Sequence, residues 1–257
     1  MYRQVFALAV FAAFQCGFPA SCARNLNYRP IIGKNKSESL KRYFFLMFRF
    51  INRTEEEYEK LFNAINGLLL PGGNVDIEKS QFTRAAKIFY ELAIKANDAS
   101  DYFPIWGTCQ GFQQLTVLTS NKNLLTLTDT KAVALPLNFS PVTVYFNYFF
   151  RSFSELSKHD LLLQNYSSNA KLKCFYRVLT TNTDGKKEFI STMEAYRYPF
   201  YAVQWHPEKN PFEWIEKAGM VHTLSAIKAT FYTTSQNIYF AFLKRWDNIK
   251  LPENDET

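Results

Sequence analysis

The sequence of 257 residues predicts an α/β fold with a mostly parallel central sheet. Two observations carry this prediction. Short apolar runs bounded by glycine and proline alternate with longer amphipathic segments, as strands alternate with crossover helices in a parallel sheet. Hydrophobic residues also make up 47% of the chain, which is enough for one sizeable core. One domain is therefore the expected organisation, with two small domains as the alternative.

The N-terminal part of this domain begins with a short strand predicted at "RPIIG". A helix is predicted through "LKRYFFLMFRF", where Ser37 or Ser39 would provide the N-cap. A clearer helix follows in "TEEEYEKLFNAI", because Thr54 and Glu57 have the spacing of a capping box.

The middle of the chain alternates most regularly. The run "GLLL" predicts a buried strand that ends at Pro71-Gly72-Gly73, and "SQFTRAAKIFYELAIKAND" predicts an amphipathic helix. The next strand, "YFPIWGTC", leads directly into a helix in "QGFQQLTVLTS". Further strands are expected in residues 172–208, with a hairpin at Asp184-Gly185, before a long C-terminal helix in "TLSAIKATFYTTSQNIYFAFLKRW".

Residues 1–23 have the pattern of a cleaved secretory signal, with a positive Arg3, the apolar run "VFALAVFAAF" and small residues up to Ala23. A membrane anchor is the alternative, but the run is short for a span of roughly 20 residues. The mature chain would then be one domain over 24–257, with no stable membrane anchor. Cleavage would remove two of the four cysteines and leave Cys109 and Cys174, enough for one disulfide at most.

Four Asn-x-Ser/Thr triplets are candidate glycosylation sites. Behind a signal peptide, modification of one or more of them is expected, although Pro141 would hinder the third. The triplets begin at Asn35, Asn52, Asn138 and Asn165.

The chain is basic, with 30 Lys and Arg against 23 Asp and Glu and a net charge of +7. These residues form no dense cluster or stripe, which is typical of an ordinary solvated surface. The charge is compatible with an anionic ligand, and nucleic acid is not an expected partner.

The stretch Gly107-Thr108-Cys109-Gln110-Gly111 places a cysteine between two glycines where a predicted strand meets a predicted helix. This pattern is typical of a nucleophile elbow, a sharp turn in which small neighbours let the backbone pass without collision. Helix dipole and free N–H groups at such a position favour a thiolate. A buried structural thiol is the competing interpretation of Cys109, since glycines next to cysteine are common.

A thiolate nucleophile needs a base and a group that orients the base. Of the three histidines in the chain, His206 directly follows an apolar strand in "YAVQWHPEKNPFEW". Glu208 lies two residues further on and points the same way in an extended segment. Glu208 can therefore hold one ring nitrogen of His206 while the other nitrogen faces Cys109, in the logic of a Cys-His-acid triad.

An acyl-transfer site also needs hydrogen-bond donors for the tetrahedral oxyanion. The backbone N–H of Gln110 is one candidate, because it follows the proposed nucleophile. A glycine of the loop in "LLLPGGNVD" is the second, with Gly72 and Gly73 available. A plain Pro-Gly-Gly turn is the alternative interpretation of that loop.

Three segments in this order, "GLLLPGG", "WGTCQGF" and "VQWHPEK", resemble class I glutamine amidotransferase-like hydrolases. The segments "TDTKAVALPLNFS" and "VLTTNTDGKKEFISTMEAYRYPFYAVQWHPEKNPFEW" resemble, within that superfamily, the γ-glutamyl hydrolases, also called folylpolyglutamate hydrolases. The resemblance covers about 54–139 and 174 to the predicted C-terminal helix. It implies the class I glutamine amidotransferase-like fold, with helices on both faces of the sheet.

The resemblance also implies a lysosomal and secreted homodimeric glycoprotein. Such a protein cleaves γ-glutamyl bonds of folylpoly-γ-glutamates and of polyglutamylated antifolates, and uses neither a metal nor an organic cofactor. Carried over by motif, Cys109 is the nucleophile, His206 the base and Glu208 its orienting group. Gly73 and Gln110 would supply the oxyanion donors.

Two departures from the family pattern lead to alternatives. About 20 residues separate Gly33 from Thr54, too few for a full βαβ unit, so part of the first unit is expected to be missing. The region 141–173 is also shorter than the substrate-side region of the family, and the resemblance implies that His159 in it is a further active-site histidine. Gly72, in the "LLLPGGNVD" loop, is expected to bind substrate. These departures raise the alternative of a catalytically impaired splice or gene-model variant acting as a non-catalytic secreted glycoprotein. A glutaminase that passes ammonia to a synthetase is a further alternative, because the elbow fits it equally well.

Overall fold

The computed structural model describes residues 8–13, 43–48, 53–65, 67–130, 133–141, 151–154, 159–207 and 224. The strand predicted at "RPIIG", the N-cap candidates Ser37 and Ser39, Glu208, Asn35, Asn52 and the C-terminal helix apart from residue 224 lie outside these residues. The helices within the described ranges are α1 (Glu55–Asn63), α2 (Gln81–Asp98), α3 (Gln110–Ser120), α4 (Leu163–Ser168) and α5 (Ala170–Phe175). The strands are β1 (Leu8–Ala13), β2 (Tyr43–Phe48), β3 (Gly67–Leu70), β4 (Ile105–Thr108), β5 (Leu125–Leu127), β6 (Val133–Pro136), β7 (Asn138–Phe139), β8 (Arg151–Ser154), β9 (His159–Leu161), β10 (Tyr176–Thr183), β11 (Glu188–Ala195) and β12 (Phe200–Val203).

The main sheet has eight strands in the order β2-β1-β3-β4-β12-β11-β10-β7, and β5–β9 and β6–β8 form two smaller sheets. In the main sheet β4 pairs in parallel with β3 on one side and with β12 on the other. The other described pairs of this sheet are antiparallel. The predicted α/β class is confirmed, but the sheet is mixed rather than mostly parallel, because antiparallel strands pair on both sides of the parallel centre.

The N-terminal side of the sheet differs from the prediction. Residues 43–48 form strand β2, so the helix predicted through "LKRYFFLMFRF" is wrong. That run is rich in aromatic residues, which favour strands, and it lacks a clear helical period. Because β1 is antiparallel to both β2 and β3, these strands do not form a parallel βαβ unit, consistent with the altered first unit expected from the sequence.

Strand β1 lies inside the segment predicted to be a secretory signal. Its residues Ala9–Phe11 pair with residues Gly67–Leu69 of β3. Removal of residues 1–23 would therefore take away the antiparallel neighbour of β3. The signal remains a prediction about processing.

The central strands are apolar on both faces, as is typical of strands in the middle of an α/β sheet. One set of side chains joins the main core, to which each of the five described helices contributes, and the other joins a smaller cluster around Trp106 and Trp205. Alternation along the strands separates the two sets. The main core takes Leu68, Leu70, Ile105, Phe200 and Ala202, and the smaller cluster takes Leu69, Trp106, Tyr201 and Val203. Among the described residues, helices therefore contribute to one face of the sheet rather than to both.

The helix starts follow local rules. At α1 the hydroxyl of Thr54 accepts the N–H of Glu57, and the Glu57 carboxylate accepts the N–H of Thr54, which confirms the predicted capping box. The hydroxyl of Ser80 caps α2 by accepting the N–H of Thr83. None of the described helices has the length and apolarity needed to cross a membrane.

The predicted hairpin at Asp184-Gly185 is confirmed. It joins β10 to β11, and Gly185 has a φ of 90°, which favours glycine. The carboxylate of Asp184 accepts the backbone N–H groups of Lys186 and Lys187, so the turn is held by its own side chain.

At the amino end of the parallel strands, a side-chain amide holds the backbone that leads into β4. Asn97, in the last turn of α2, donates to the carbonyl of Phe103 at 2.9 Å and accepts its N–H at 3.2 Å. The same Nδ2 atom donates to the carbonyl of Ala93 at 2.7 Å. The ring of Phe103 stacks on Phe62 with centroids 4.1 Å apart, so this end is closed by packing and by one amide.

Candidate active site

The carboxyl ends of β3, β4 and β12 bring three predicted site segments to one edge of the sheet. The register pairs Leu70 with Gly107 and Val203 with Thr108. The three strands therefore end at nearly the same level. They are followed by the β3–α2 loop (residues 71–80), by Cys109 and by the segment that leads to His206. Ligands of open α/β sheets bind beyond the carboxyl ends of the strands.

Cys109 forms the whole junction between β4 and α3. Its backbone has φ 51° and ψ −103°, which lies outside the regions that non-glycine residues ordinarily occupy. Its N–H donates to the carbonyl of Val203 at 2.8 Å, and this bond continues the pairing between β4 and β12 beyond the end of β4. A backbone of this kind costs of the order of 1–3 kcal/mol and occurs mostly at functional sites.

The glycines on either side of Cys109 are required by close contact. A Cβ atom added to Gly111 would overlap the carbonyl oxygen of Leu70 in β3. A Cβ atom added to Gly107 would lie 2.8 Å from the carbonyl carbon and oxygen of Gly111. The first turn of α3 can therefore approach β3 and β4 only because both positions lack a side chain, as the elbow pattern predicts.

His206 and the β3–α2 loop are in direct contact. A Cβ atom added to Gly72 would lie 2.5 Å from Cε1 of His206 and 3.3 Å from Nε2, so Gly72 lies against the imidazole ring. His206 is 7% exposed and Cys109 is 5% exposed. Two buried groups with acid–base and nucleophilic chemistry therefore lie at neighbouring strand ends, beside a loop that presents glycines.

The remaining predicted residues are placed less centrally. Gly73 is exposed in the β3–α2 loop, next to Gly72. His159 begins β9 with an exposed side chain, and its carbonyl accepts a 2.8 Å hydrogen bond from Nε2 of Gln113, which links β9 to the first turn of α3. Glu208 lies beyond the described residues, so its role remains a prediction.

The sequence analysis missed the side chain of Gln110. Its backbone N–H is at the first position of α3, where N–H groups have no partner within the helix, as the oxyanion prediction requires. Its buried side chain bonds both backbone groups of Val75, accepting the N–H at 3.2 Å and donating to the carbonyl at 2.7 Å. The available signal was the spacing of Gln110 and Gln114, one turn apart on the same face of α3.

Two further buried polar groups lie near this edge. Asp160 is 1% exposed, and the hydroxyls of Thr128 and Thr130 donate to its Oδ2 atom. Burial raises the pKa of Asp160 to about 6, and the nearby Asp184 carboxylate adds to the increase. The side-chain amide of Gln204, two residues before His206, is buried without a hydrogen-bond partner in the part of the chain that the structure describes.

The described cysteines and Asn-x-Ser/Thr triplets bear on the predicted disulfide and glycosylation sites. Cys109 and Cys174 are free thiols, so no disulfide joins them. Asn138 is exposed in β7. Asn165 lies in α4, and its Nδ2 atom donates to the carbonyl of Leu124 at 2.9 Å and to the hydroxyl of Thr126 at 3.1 Å. A glycan on that nitrogen would replace one of these donors.

Within the described ranges, no group of three or more His, Cys, Asp or Glu side chains has the arrangement of a metal site.

Fold and site together define an α/β protein of the strand–elbow–helix class with a cysteine at the elbow. The chain belongs to the Peptidase C26 family, whose model matches residues 46–208. The matched segment begins inside β2 and ends at Glu208, so it contains all of the predicted catalytic and oxyanion residues.

The chain is similar to several curated proteins named gamma-glutamyl hydrolase. It is 50% identical to that of Bos taurus over 191 residues, which cover 69% of this chain and 60% of the relative. It is 49% identical to that of Homo sapiens over 195 residues, or 71% and 61% of the two chains. Gamma-glutamyl hydrolase B of Dictyostelium discoideum is 33% identical over 223 residues, or 80% and 63%. The chain thus spans about three fifths of the length of these relatives.

Two solved structures share a remote similarity with the chain. A putative GMP synthase protein from Thermoplasma acidophilum has a TM-score of 0.44 and 14% identity, covering 76% of this chain and 81% of its own. A glutamine amidotransferase from Thermotoga maritima has a TM-score of 0.38 and 14% identity, covering 69% and 76%.

Proposed function

We propose that this protein hydrolyses γ-glutamyl bonds of folylpoly-γ-glutamates and of polyglutamylated antifolates, with Cys109 as the nucleophile. The observation that carries the proposal is the backbone of Cys109. A positive φ with a ψ of −103° fixes this residue between β4 and α3, where one hydrogen bond ties it to the strand that leads to His206. Membership of the Peptidase C26 family and the names of the relatives support the substrate class.

The first half of the reaction forms an acyl-enzyme. His206 takes the thiol proton, and the thiolate of Cys109 attacks the γ-amide carbonyl carbon, so that a C–S bond forms and the carbonyl π electrons move to oxygen. The oxyanion accepts hydrogen bonds from the N–H groups of Gln110 and Gly73. When the intermediate collapses, the C–N bond breaks and the imidazolium of His206 protonates the leaving amine of glutamate.

The second half of the reaction releases the acyl group. His206 removes a proton from water as the water oxygen attacks the thioester carbonyl. The C–S bond then breaks and the thiolate of Cys109 regains a proton. Glu208 orients the imidazole throughout, and Gly72 and His159 lie on the substrate side of the site.

The test uses purified protein with folate pentaglutamate, and chromatography follows the shortened folates. Cys109→Ala is expected to lower turnover by about 10³-fold or more, because no other group can form the acyl-enzyme. The matched control is Cys174→Ala, which removes the exposed free thiol of α5 and is expected to keep wild-type turnover.

Equal turnover by Cys109→Ala and wild type would overturn the mechanism. Hydrolysis of free glutamine without cleavage of the pentaglutamate would instead assign a glutaminase. A folded wild-type protein that cleaves neither compound would leave the non-catalytic alternative as the function.

We also propose that residues 1–23 are a cleaved signal, and that the mature protein is a homodimeric glycoprotein of the lysosome and the extracellular space. Support comes from the sequence pattern at the N-terminus, the four sequons and the family resemblance. Secretion from cultured cells should give a protein that begins at Arg24, shifts in mass with an N-glycosidase and sediments as a dimer. Retention of residues 1–23 in the folded product would contradict cleavage, and the pairing of β1 with β3 would then be part of the native sheet.

A further inference from the structure

The β3–α2 loop carries the glycines of the candidate site, and two buried side chains of α3 hold it. Gln110 and Gln114 are 2% and 0% exposed, and both reach out of α3 to this loop. Gln110 bonds both backbone groups of Val75. Gln114 donates from Nε2 to the carbonyl of Ile77 at 3.2 Å, and its Oε1 lies 3.0 Å from the hydroxyl of Thr83. We call these two side chains the glutamine clamp.

The chemistry of the clamp explains why glutamine occupies buried helix positions. A side-chain amide carries one acceptor and one donor group, so it can pair with the C=O and N–H of a single backbone residue much as a neighbouring strand would. A buried amide without partners costs about 1–3 kcal/mol, whereas an apolar side chain at these positions would pack without that requirement. The two amides are thus suited to holding the loop more than to filling the core.

The position of the clamp links it to the proposed nucleophile. Gln110 directly follows Cys109, and Gln114 lies one turn further along the same face of α3. The helix that begins at the elbow therefore also grips Val75 and Ile77 of the loop. Upstream in that loop, Gly72 lies against His206 and Gly73 is the proposed oxyanion donor.

We propose that Gln110 and Gln114 are positioning residues for the reaction. Their side chains set the distance from Cys109 to the loop that carries Gly72 and Gly73. The inference rests on the proposed function, and the side chain of Gln110 has a role separate from its backbone N–H. A loop displaced by 1 Å can cost about 10²-fold in rate even when no catalytic group is removed.

The central test is Gln110→Met, which keeps the length of the side chain and the backbone N–H but removes both bonds to Val75. The matched control is Asn97→Leu. Asn97 holds both backbone groups of Phe103 by the same kind of paired amide bonds, at the opposite end of β4. Both variants are expected to lose stability of the same order, with the larger loss in Asn97→Leu, because Asn97 also donates to the carbonyl of Ala93.

The two variants are expected to differ in catalysis and in loop protection. Gln110→Met should lower kcat for folate pentaglutamate by about 10–100-fold with KM nearly unchanged, while Asn97→Leu should keep wild-type kcat. Hydrogen exchange at the amides of residues 75–77 should be faster in Gln110→Met and unchanged in Asn97→Leu.

A conservative variant adds a test that a merely structural role does not predict. Gln110→Glu keeps an acceptor for the N–H of Val75 but loses the donor to its carbonyl. A protonated carboxyl regains that donor. The kcat of Gln110→Glu relative to wild type should therefore recover as the pH falls from 7 to 5.

The outcomes separate failure of the clamp from failure of the proposed function. Unchanged exchange at residues 75–77 in Gln110→Met would overturn the clamp whatever the activity. Faster exchange with a kcat equal to that of Asn97→Leu would overturn its positioning role. If wild type and Cys109→Ala do not differ in turnover, the proposed function fails and the positioning role fails with it. Hydrogen exchange at residues 75–77 would then be the only measurement that tests whether the two glutamines hold the loop.

Discussion

The two ends of the parallel strands β3, β4 and β12 use the same device in different surroundings. At the amino end the amide of Asn97 holds the backbone of Phe103, and at the carboxyl end the amide of Gln110 holds the backbone of Val75. The amino end is otherwise closed by stacked aromatic rings, such as those of Phe62 and Phe103. At the carboxyl end, the backbone of α3 packs directly against the backbone of β3 and β4, because Gly107 and Gly111 have no side chains.

Backbone conformation separates the two ends further. Positive φ occurs at both, but Ser100 at the amino end directly follows the last turn of α2, where left-handed residues are common. Cys109 at the carboxyl end has a ψ of −103°, which belongs to no ordinary region. Of the two positive-φ residues compared, the one with the unusual ψ thus lies at the edge where the candidate chemistry lies.

The largest expected loss of stability is at Gly111. This position tests whether glycine is required at the carboxyl end because a side chain would collide or because the backbone needs conformational freedom. Gly111→Ala should lower the free energy of unfolding by about 3 kcal/mol or more, because its Cβ atom would overlap the Leu70 carbonyl. Gly185→Ala is the control, since Gly185 has a φ of 90° in open space and should cost only about 1–2 kcal/mol. Urea unfolding measures both variants, and equal losses would contradict the contact explanation.

The second prediction concerns the pH dependence of stability that the buried Asp160 carboxyl causes near the carboxyl end. The folded pKa of Asp160 is about 6, above the ordinary value near 4, so the stability that its neutral form contributes is complete below about pH 4. That contribution is lost as the pH rises through 6, and it amounts to roughly 3 kcal/mol. Asp160→Asn should therefore flatten the pH dependence of the melting temperature between pH 4 and 7.

The control for this titration is Asp98→Asn at the amino end. Asp98 is an exposed carboxylate at the end of α2 that accepts the hydroxyl of Tyr198 at 3.0 Å. The variant loses one surface hydrogen bond and should cost at most about 1 kcal/mol at pH 7. An unchanged pH profile in Asp160→Asn would contradict the role given to the buried carboxyl.

Gly72 tests the contact between the β3–α2 loop and the proposed base. In Gly72→Ala the new methyl group would require the His206 ring to move, because it would lie 2.5 Å from Cε1. Turnover of folate pentaglutamate should fall about 10–100-fold, with a loss of stability near 1 kcal/mol. A stability loss without any change in turnover would mean that the ring position does not matter for the reaction.

The smallest expected effect comes from the capping box of α1, which lies outside the compared pair of amides. Thr54→Ala removes the hydroxyl that accepts the N–H of Glu57 and should cost about 1 kcal/mol. Turnover should stay at the wild-type level, so this variant shows how much a loss of stability far from the site affects catalysis. A kcat that fell as far as in Gln110→Met would show that loss of stability alone lowers catalysis.

Predictions from the sequence succeeded where the cause is local. The capping box at Thr54, the helix that begins at Gln110 and the turn at Gly185 each depend on residues a few positions apart. The elbow at Cys109 was also predictable, because its glycines and the change from strand to helix lie within one short stretch.

Predictions failed, or were not made, where contacts between segments far apart in the sequence determine the structure. The run at residues 43–48 is apolar without a period, and its pairing with β1 makes it a strand rather than a helix. The partner of the Gln110 side chain, Val75, lies 35 residues away in the sequence, and no sequence pattern near Val75 predicts this contact. The contact between Gly72 and His206 depends likewise on the pairing of β3, β4 and β12.

The hydrogen bond from Cys109 to Val203 has a consequence for the order of folding. Its two residues are roughly 90 positions apart, so the bond closes a long loop and forms late compared with local helices and hairpins. Strand β4 and helix α3 can both exist before this closure, but the turn between them is then free to relax to an ordinary backbone. The backbone of Cys109 thus acquires its constrained conformation only when β12 docks, so the geometry of the elbow depends on completion of the central sheet.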